Sequence, residues 1–284
     1  MTHTRPQPGW QRYLDVVLAV ALARLKIFSR YPGQIAIDII VPIVLTAIPI
    51  LLGRSLVGAA ATQAFAANTG TSNYVAYMLI GSTVFYIVSS ALWNFGFWVR
   101  REQQTGTLEA LYLTPVSRFW LLTGVALYGT LQNLCSFAAS FTLGCLIFGV
   151  NPVQGDILLA LAFLGLGIIP LYGVGLLYGA LVLRFKEANA LIQIAEWVVS
   201  LLMGIYFPVT IFPPLLRWLA LAFPPTWVNN GVRAALLGIG WFFETWYADL
   251  AMLGVFAVVV PVLGYAIFQR IEQGLQRSEG VGTF

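Results

Sequence analysis

The amino-acid sequence predicts an all-α integral membrane protein with six transmembrane helices. Three observations support this fold class: the composition, the apolar segments and the distribution of positive charge. Of the 284 residues, 59% are hydrophobic and only 9% are charged, and the mean hydropathy is +0.84. Soluble domains carry about 25% charged residues. Because so few charges do not cover a water-exposed surface, a soluble protein is excluded and a lipid membrane is expected as the surroundings.

Six apolar segments are long enough to cross a bilayer, since a helix needs about 20 residues for about 30 Å of hydrocarbon. The predicted spans are residues 35–52, 74–99, 119–150, 157–183, 188–207 and about 247–268. Pro42 and Pro49 interrupt the first span. Residues 53–73 are expected to form an outer connector without chemistry, and 1–284 is expected to be a single membrane domain.

Two further apolar segments are predicted to be helical without crossing the membrane. Residues 10–30 place apolar side chains at helical spacing opposite a narrow charged arc, which is typical of an amphipathic helix in the cytoplasmic interface. Residues 208–240 contain five prolines, and the pieces 215–223 and 226–237 between them are too short to span. This pattern favours a re-entrant helical hairpin that enters from the outer side before the sixth span. The alternative is one kinked seventh span.

The positive charges orient the chain. With the N-terminus inside, twelve of the 15 Lys and Arg residues lie in cytoplasmic segments and three lie outside. Cytoplasmic loops of membrane proteins carry an excess of these residues. We therefore expect a multi-pass protein of the inner or plasma membrane with both termini cytoplasmic, and this argues against a seventh span.

Several kinds of chemistry are disfavoured by the residues themselves. The only histidine is His3, and Cys135 and Cys145 lie ten residues apart in one apolar segment, so no metal site is expected. A phosphate-binding loop needs a lysine after a glycine. Neither Lys26 nor Lys186 follows one. The chain is therefore not expected to be an ATPase, and it needs no cofactor of its own.

Between the second and third spans, residues 100–118 form a polar segment. We expect it to dock on a partner outside the membrane. Gly106 lets the chain reverse, Thr107 can cap a short helix, and Pro115 stops that helix. Glu109 in the first turn favours the positive end of the helix. The apolar face of this short helix would consist of Leu108, Leu111 and Tyr112.

This segment resembles the GTLE…TP signature of the coupling loop in permease subunits of ABC-2 type transporters. The matching residues are Glu102, Thr105, Gly106, Thr107, Leu108, Glu109, Thr114 and Pro115. A second match, in the proline-rich hairpin, consists of Phe212, Pro213, Pro214, Pro224 and Arg233. The resemblance covers nearly the whole chain. It implies that a separate cytoplasmic ATP-binding subunit, which holds ATP and Mg²⁺, docks on the loop.

The resemblance also implies a second permease copy, either identical or a close homologue, and no nucleic acid. The ATPase-coupling surface then includes Leu111 and Tyr112. Arg184 and Lys186, in a second inner loop, are either a further docking point or a positively charged anchor.

Two polar stripes occur within the predicted spans. In the fifth span, Asn189, Gln193, Glu196 and Ser200 share one helical face. The stripe of the second span consists of Ser82, Tyr86, Ser89, Trp93 and Phe97, with Ser90 and Asn94 beside it. The resemblance implies a substrate path lined by Tyr86, Ser89, Trp93, Asn94, Phe97, Gln193, Glu196 and Ser200. Packing contacts between helices are the alternative for both stripes.

Other polar residues within the spans are expected to serve packing. Gln132 and Asn133 in the third span are predicted to hydrogen-bond to neighbouring helices. Asp38 lies near the inner end of the first span. Since Asp38 and Glu196 lie on different spans at unlike depths, they do not suggest a catalytic pair.

The expected function is that of a membrane permease subunit in an ATP-driven ABC-2 type exporter. The expected substrate is hydrophobic or amphipathic, such as a drug, lipid or natural product, because no dedicated charged pocket is evident. Two alternatives remain open: export of a polysaccharide or glycolipid, and a proton-coupled secondary transporter that uses Glu196.

Overall fold

The computed structural model describes residues 9–56, 58–96, 118–151, 155–184 and 188–279, and some side chains beside the gaps are not described. Within these ranges the chain is helical and contains no strand. The helices are α1 (Gly9–Phe28), α2 (Pro32–Leu56), α3 (Gly58–Thr69), α4 (Tyr74–Gly96), α5 (Arg118–Phe148), α6 (Ile157–Arg184), α7 (Ala188–Leu202), α8 (Pro214–Leu221), α9 (Pro224–Leu237) and α10 (Trp246–Glu279), with a 3₁₀ turn at Val209–Ile211. The predicted all-α class is confirmed.

Five of these helices are long and apolar enough to cross a membrane. Their apolar segments are Pro32–Leu52, Tyr74–Trp93, Thr123–Phe148, Ile157–Ala180 and Trp246–Ile271. They correspond to five of the six predicted spans. The last helix is longer than expected, because α10 continues as far as Glu279.

The predicted fifth span is wrong in its extent, since α7 ends at Leu202 rather than at residue 207. Its 15 residues rise only about 22 Å along the helix axis. Gly204 has a φ of +60° and so leaves the helical conformation. Pro208 follows four residues later with an extended backbone. The apolar composition of residues 203–207 therefore did not show where the helix stops.

The predicted connector at residues 53–73 is also largely helical. Helix α2 continues to Leu56, and α3 occupies Gly58–Thr69. The sequence of α3 is rich in alanine, which has the highest intrinsic helix propensity, and this explains the difference. Gly70, with a φ of +78°, then ends α3.

Helix α4 is the central helix of the bundle. Its apolar segment is 72% buried, whereas that of α10 is 11% buried. It packs against α2, α5, α6 and α9. A polar side chain on α4 therefore meets other helices rather than lipid, and this position sets the geometry of the site.

Helix α6 forms its most extensive packing with α10. A Cβ atom added at Gly173 would lie 2.5 Å from the backbone nitrogen of Pro261, and one added at Gly264 would meet the carbonyl group of Gly173. Two glycines thus allow the two backbones to approach closely, as small residues do between membrane helices.

The proline-rich region folds as two short helices, as predicted. Pro214 and Pro224 stand at the first positions of α8 and α9, where the missing N–H of proline is tolerated. The indole of Trp227 donates to the carbonyl of Leu221 at 2.7 Å and ties the two helices together. Helix α9 is buried along almost its whole length, while Trp218 on α8 is 73% exposed.

The N-terminal helix α1 forms as predicted and lies against α5. Val17 and Ala21 are buried, and Tyr13 stacks on Trp120 with ring centres 4.9 Å apart. All four leucines of α1 are exposed on the protein surface: Leu14, Leu18, Leu22 and Leu25.

Candidate functional site

The carboxylate of Glu196 joins α7 to α4. The indole Nε1 of Trp93 donates to Oε1 of Glu196 at 2.5 Å, and the Ser89 hydroxyl donates to the same oxygen. Tyr178 on α6 also interacts electrostatically with Glu196. The two predicted polar stripes therefore meet at Glu196, which is half-buried.

A second carboxylate, Asp38 on α2, is buried among three neutral donors. Tyr86 on α4 and Gln34 donate to Oδ1, each at 2.8 Å, and Gln132 on α5 donates to Oδ2 at 2.8 Å. Asp38 is only 4% exposed. Three hydrogen bonds to one carboxylate offset much of the free-energy cost of burying it, so Asp38 ties α2, α4 and α5 together.

A further hydrogen bond connects α4 to α5 nearby. Ser90 donates to Oδ1 of Asn133 at 2.6 Å. Together with the bond from Gln132 to Asp38, it confirms the prediction that the polar pair on the third span binds to neighbouring helices. Hydrogen bonds from Tyr86, Ser90 and Trp93 thus connect α4 to α2, α5 and α7.

Helix α2 makes one more polar contact, where a proline leaves a carbonyl without its helical donor. Pro49 has no backbone N–H, so the carbonyl of Leu45 lacks the usual i+4 partner. The hydroxyl of Tyr206, in the segment after α7, donates to this carbonyl at 3.2 Å. Pro49 therefore leaves an acceptor on α2 that binds the segment after α7.

The carboxyl end of α7 is capped by one face of α9. Thr226 donates to the carbonyl of Leu202 at 3.2 Å, and Asn229 donates to that of Met203 at 2.8 Å. Arg233 donates to the carbonyl of Gly204 at 2.8 Å. These donors satisfy carbonyls that the end of a helix leaves without partners.

The charge of Arg233 suits this position. The partial negative charge at the carboxyl end of a helix favours a cation. The guanidinium of an arginine stays protonated in proteins, so Arg233 supplies a buried positive charge here. Its other donors bind the carbonyls of Tyr77 and Ile205. All its described hydrogen-bond acceptors are backbone carbonyls, so it acts as a structural cation.

The remaining predicted path residues do not join this site in the described part of the chain. Gln193 is exposed, and Ser200 donates within its own helix to the carbonyl of Trp197 at 2.8 Å. Asn94 belongs to α4, but its side chain is not among those described, and Phe97 lies outside the described residues. The same holds for the side chain of Asn189.

Most of the predicted ATPase-coupling residues also lie outside the residues that the structure describes. Lys186 and every coupling residue between 102 and 115 lie outside the described ranges, and Arg184 is described only as the last residue of α6. The coupling surface therefore stays a prediction.

Sequence reasoning missed two of these polar assemblies. Asp38 and Gln132 were each noticed, but nothing in their spacing paired them with Tyr86. The cap on α7 could have been predicted in part from the sequence. Thr226, Asn229 and Arg233 recur at intervals of three and four, which places them on one face of α9.

The chemistry available at these sites is binding and positioning. Among the described residues, no group of three or more His, Cys, Asp or Glu side chains could hold a metal ion. The two carboxylates belong to separate contacts, one on α2 and one on α7. Such polar groups within a membrane bundle mark helix contacts or a substrate pathway.

Comparison with known families agrees with this architecture. Residues 55–266 match the model of a family described as "ABC-2 family transporter protein". The match covers more than half of the chain and runs from α2 into α10. No curated protein matches the chain.

Proposed function

The chain belongs to the ABC-2 family of transporter membrane proteins, and from this premise we propose that it is the permease subunit of an ATP-driven exporter. As an ABC-type permease it is a multi-pass transmembrane protein that works with an ATP-binding subunit. The finer proposal concerns how ATP hydrolysis in that subunit drives movement in this chain, and in which direction a substrate moves.

One observation supports the mechanism most strongly: α4 is bound to both α2 and α7 through buried or half-buried carboxylates. Tyr86 binds Asp38 on α2, and Trp93 binds Glu196 on α7. Helix α4 is also the helix that leads into residues 97–117. A force applied to that segment would therefore reach α4 and α5, the helices at its two ends, and α4 would pass it to α2 and α7 through these polar contacts.

We assign the docking of the ATP-binding subunit to Leu108, Glu109 and Tyr112 in this segment. Apolar and acidic side chains together suit a protein partner, because Leu108 and Tyr112 would be exposed to water in a loop that binds nothing. Closure of the ATPase dimer on ATP would push the short helix and shift α4. The bundle would then open outward and release the substrate.

The proposed topology has six membrane crossings with both termini cytoplasmic. Helix α7 serves as the fifth crossing, and its short length is completed by residues 203–207 and the buried α9. Helices α8 and α9 enter from the outer side as a re-entrant hairpin. Helix α1 lies in the cytoplasmic interface, which would bury its exposed leucines in lipid.

The decisive experiment changes the docking residues. Leu108→Asp combined with Tyr112→Asp should abolish binding of the ATP-binding subunit and its stimulated ATPase activity, because charges replace the apolar contact. The measurements are co-purification and ATP hydrolysis in reconstituted vesicles. Normal complex formation and ATPase activity in this double variant would overturn the proposal.

A matched control separates docking from folding. Gln103→Asp combined with Gln104→Asp adds the same charge in the same segment outside the proposed apolar face. This control should retain binding of the ATP-binding subunit. Equal amounts of both double variants in the membrane fraction show that each chain inserts.

A further inference from the structure

We propose that Glu196 and Trp93 form a binding site for an organic cation, which makes lipophilic cations the substrate class of this permease. The inference rests on the proposed function, because it names the substrate of the same pathway. It is carried by the contrast between Asp38 and Glu196, the two carboxylates that side chains of α4 contact.

Asp38 offers little room to a ligand, because it is buried and already hydrogen-bonded at both oxygens. Both of its oxygens accept hydrogen bonds, from three side chains on α2, α4 and α5, and the residue is 4% exposed. Its partners satisfy it within the protein, so Asp38 serves as a helix connector.

Glu196 is satisfied at one oxygen only. Ser89 and Trp93 both donate to Oε1, while Oε2 has no hydrogen-bond partner among the described residues. No described Lys, Arg or His pairs with this carboxylate. Because Glu196 is half-buried rather than exposed, its negative charge is only partly solvated, and a cation supplied from outside the chain would stabilise it.

The neighbouring side chains suit a cation with an apolar body. The Trp93 indole is held against the carboxylate by its own hydrogen bond, and Tyr178 is close enough for electrostatic interaction. Aromatic faces attract organic cations through the ring quadrupole, most strongly where water is excluded. A carboxylate bound to an indole therefore recognises both the charge and the apolar surface of such a ligand.

The place of the site in the bundle fits loading from the cytoplasmic half of the membrane. Trp93 lies three residues before the end of α4, and Tyr178 lies six residues before the end of α6. In the proposed topology both of these helix ends are cytoplasmic. An exporter would take a lipophilic cation from the inner leaflet at this level.

Binding of radiolabelled tetraphenylphosphonium to the purified full chain in nanodiscs tests this site without the ATPase. Wild-type protein should bind the cation saturably, and unlabelled neutral triphenylphosphine oxide should not compete. Glu196→Gln keeps the shape and the acceptor for Ser89 and Trp93 but removes the charge. This variant should bind the cation about tenfold more weakly, which corresponds to about 1.4 kcal/mol.

Glu244→Gln is the matched control, since it makes the same change at an exposed residue before α10. It should leave binding unchanged. Equal binding in wild type and Glu196→Gln overturns the proposal, and so does wild-type protein that fails to prefer the cation over the neutral compound.

The assay also separates this inference from the proposed function. Selective cation binding by a chain that recruits no ATP-binding subunit would uphold the site and reject the ATP-driven permease. A functional complex with the ATP-binding subunit that neither binds the cation nor changes its ATPase activity in response would uphold the ATP-driven permease and reject the site.

Discussion

Arg233 binds Tyr77 in two ways at once. Its Nε donates to the backbone carbonyl of Tyr77 at 3.1 Å, and its guanidinium carbon lies 3.6 Å from the centre of the Tyr77 ring. The same guanidinium caps the chain after α7 through Gly204 and Ile205. One side chain therefore holds α4, α7 and α9 together at the end of α4 opposite to Glu196.

Replacing Arg233 by Met should strongly destabilise the protein, because the carbonyls of Tyr77, Gly204 and Ile205 would lose a buried donor. Each buried acceptor left unpaired costs about 1–3 kcal/mol. We expect the midpoint of thermal unfolding to fall by roughly 6–18 °C. Tryptophan fluorescence of the purified full chain in detergent measures it.

Two further variants make this prediction specific. Arg233→Lys should recover only part of the stability, since a point-like ammonium does not reach carbonyls on both sides of a guanidinium fork. Arg217→Met on exposed α8 removes the same charge and should shift the midpoint little. A similar loss in Arg217→Met and Arg233→Met would contradict the specific role of Arg233.

Alanine substitutions at two glycines of α6 should change the stability of the protein in opposite directions. At Gly173 an added Cβ would lie 2.5 Å from the backbone of Val260 and Pro261, so Gly173→Ala should cost roughly 1–3 kcal/mol. At Gly165 nothing lies within 4 Å of an added Cβ, so Gly165→Ala should stabilise by up to about 1 kcal/mol through helix propensity.

Urea or heat titration of the two alanine variants in matched detergent provides the comparison. Equal stability of the two would mean that α6 and α10 do not meet at Gly173. Gly254→Ala on α10, where an added Cβ is also free of contacts, offers a second neutral position.

Substitutions of Asp38 and Tyr86 should have coupled effects on the free energy of unfolding, because the two side chains share a hydrogen bond. Tyr86→Phe removes one of three donors and should cost about 0.5–1.5 kcal/mol. Asp38→Asn should cost more, because its amide nitrogen would face a donor such as Gln132 or Gln34. The double variant should be less destabilised than the sum of the two, since the variants share one contact. Strict additivity in this cycle would argue that the hydrogen bond contributes nothing.

The proposed topology can be checked by labelling from either side of the membrane. Arg217→Cys on α8 and Gln276→Cys on α10 are made singly in a background with Cys135 and Cys145 replaced. A membrane-impermeant maleimide should label the first from outside and the second only after the membrane is opened. Labelling of both from one side would reject the assignment of termini and hairpin.

Much of the architecture was predictable because the membrane imposes it locally. Apolar segments of sufficient length, such as Trp246–Ile271, are recognised one at a time from their own residues. The two short helices of the proline-rich region were likewise readable, since proline acts on the backbone next to it, although they begin at Pro214 and Pro224 rather than at residues 215 and 226. The end of α7 was not, because residues 203–207 are apolar yet leave the helix at Gly204.

The candidate site was predictable only in part. Helical spacing showed that Ser89 and Trp93 share one face of α4, and that Glu196 lies on a polar face of α7. Spacing within a helix carries no information about which other helix that face will meet. The contact of Trp93 with Glu196, 103 residues apart, therefore had to come from the packing.

The sequence by itself determined that the chain lies in a membrane, that it is helical, and that it has no phosphate-binding loop, since these follow from composition and from short motifs. The tertiary structure alone decided that both oxygens of Asp38 accept hydrogen bonds, whereas only Oε1 of Glu196 does so among the described residues, and that Arg233 caps α7. The physical reason is that a buried polar group is stabilised by partners from distant segments, and only the packing of the helices brings those partners within hydrogen-bonding distance.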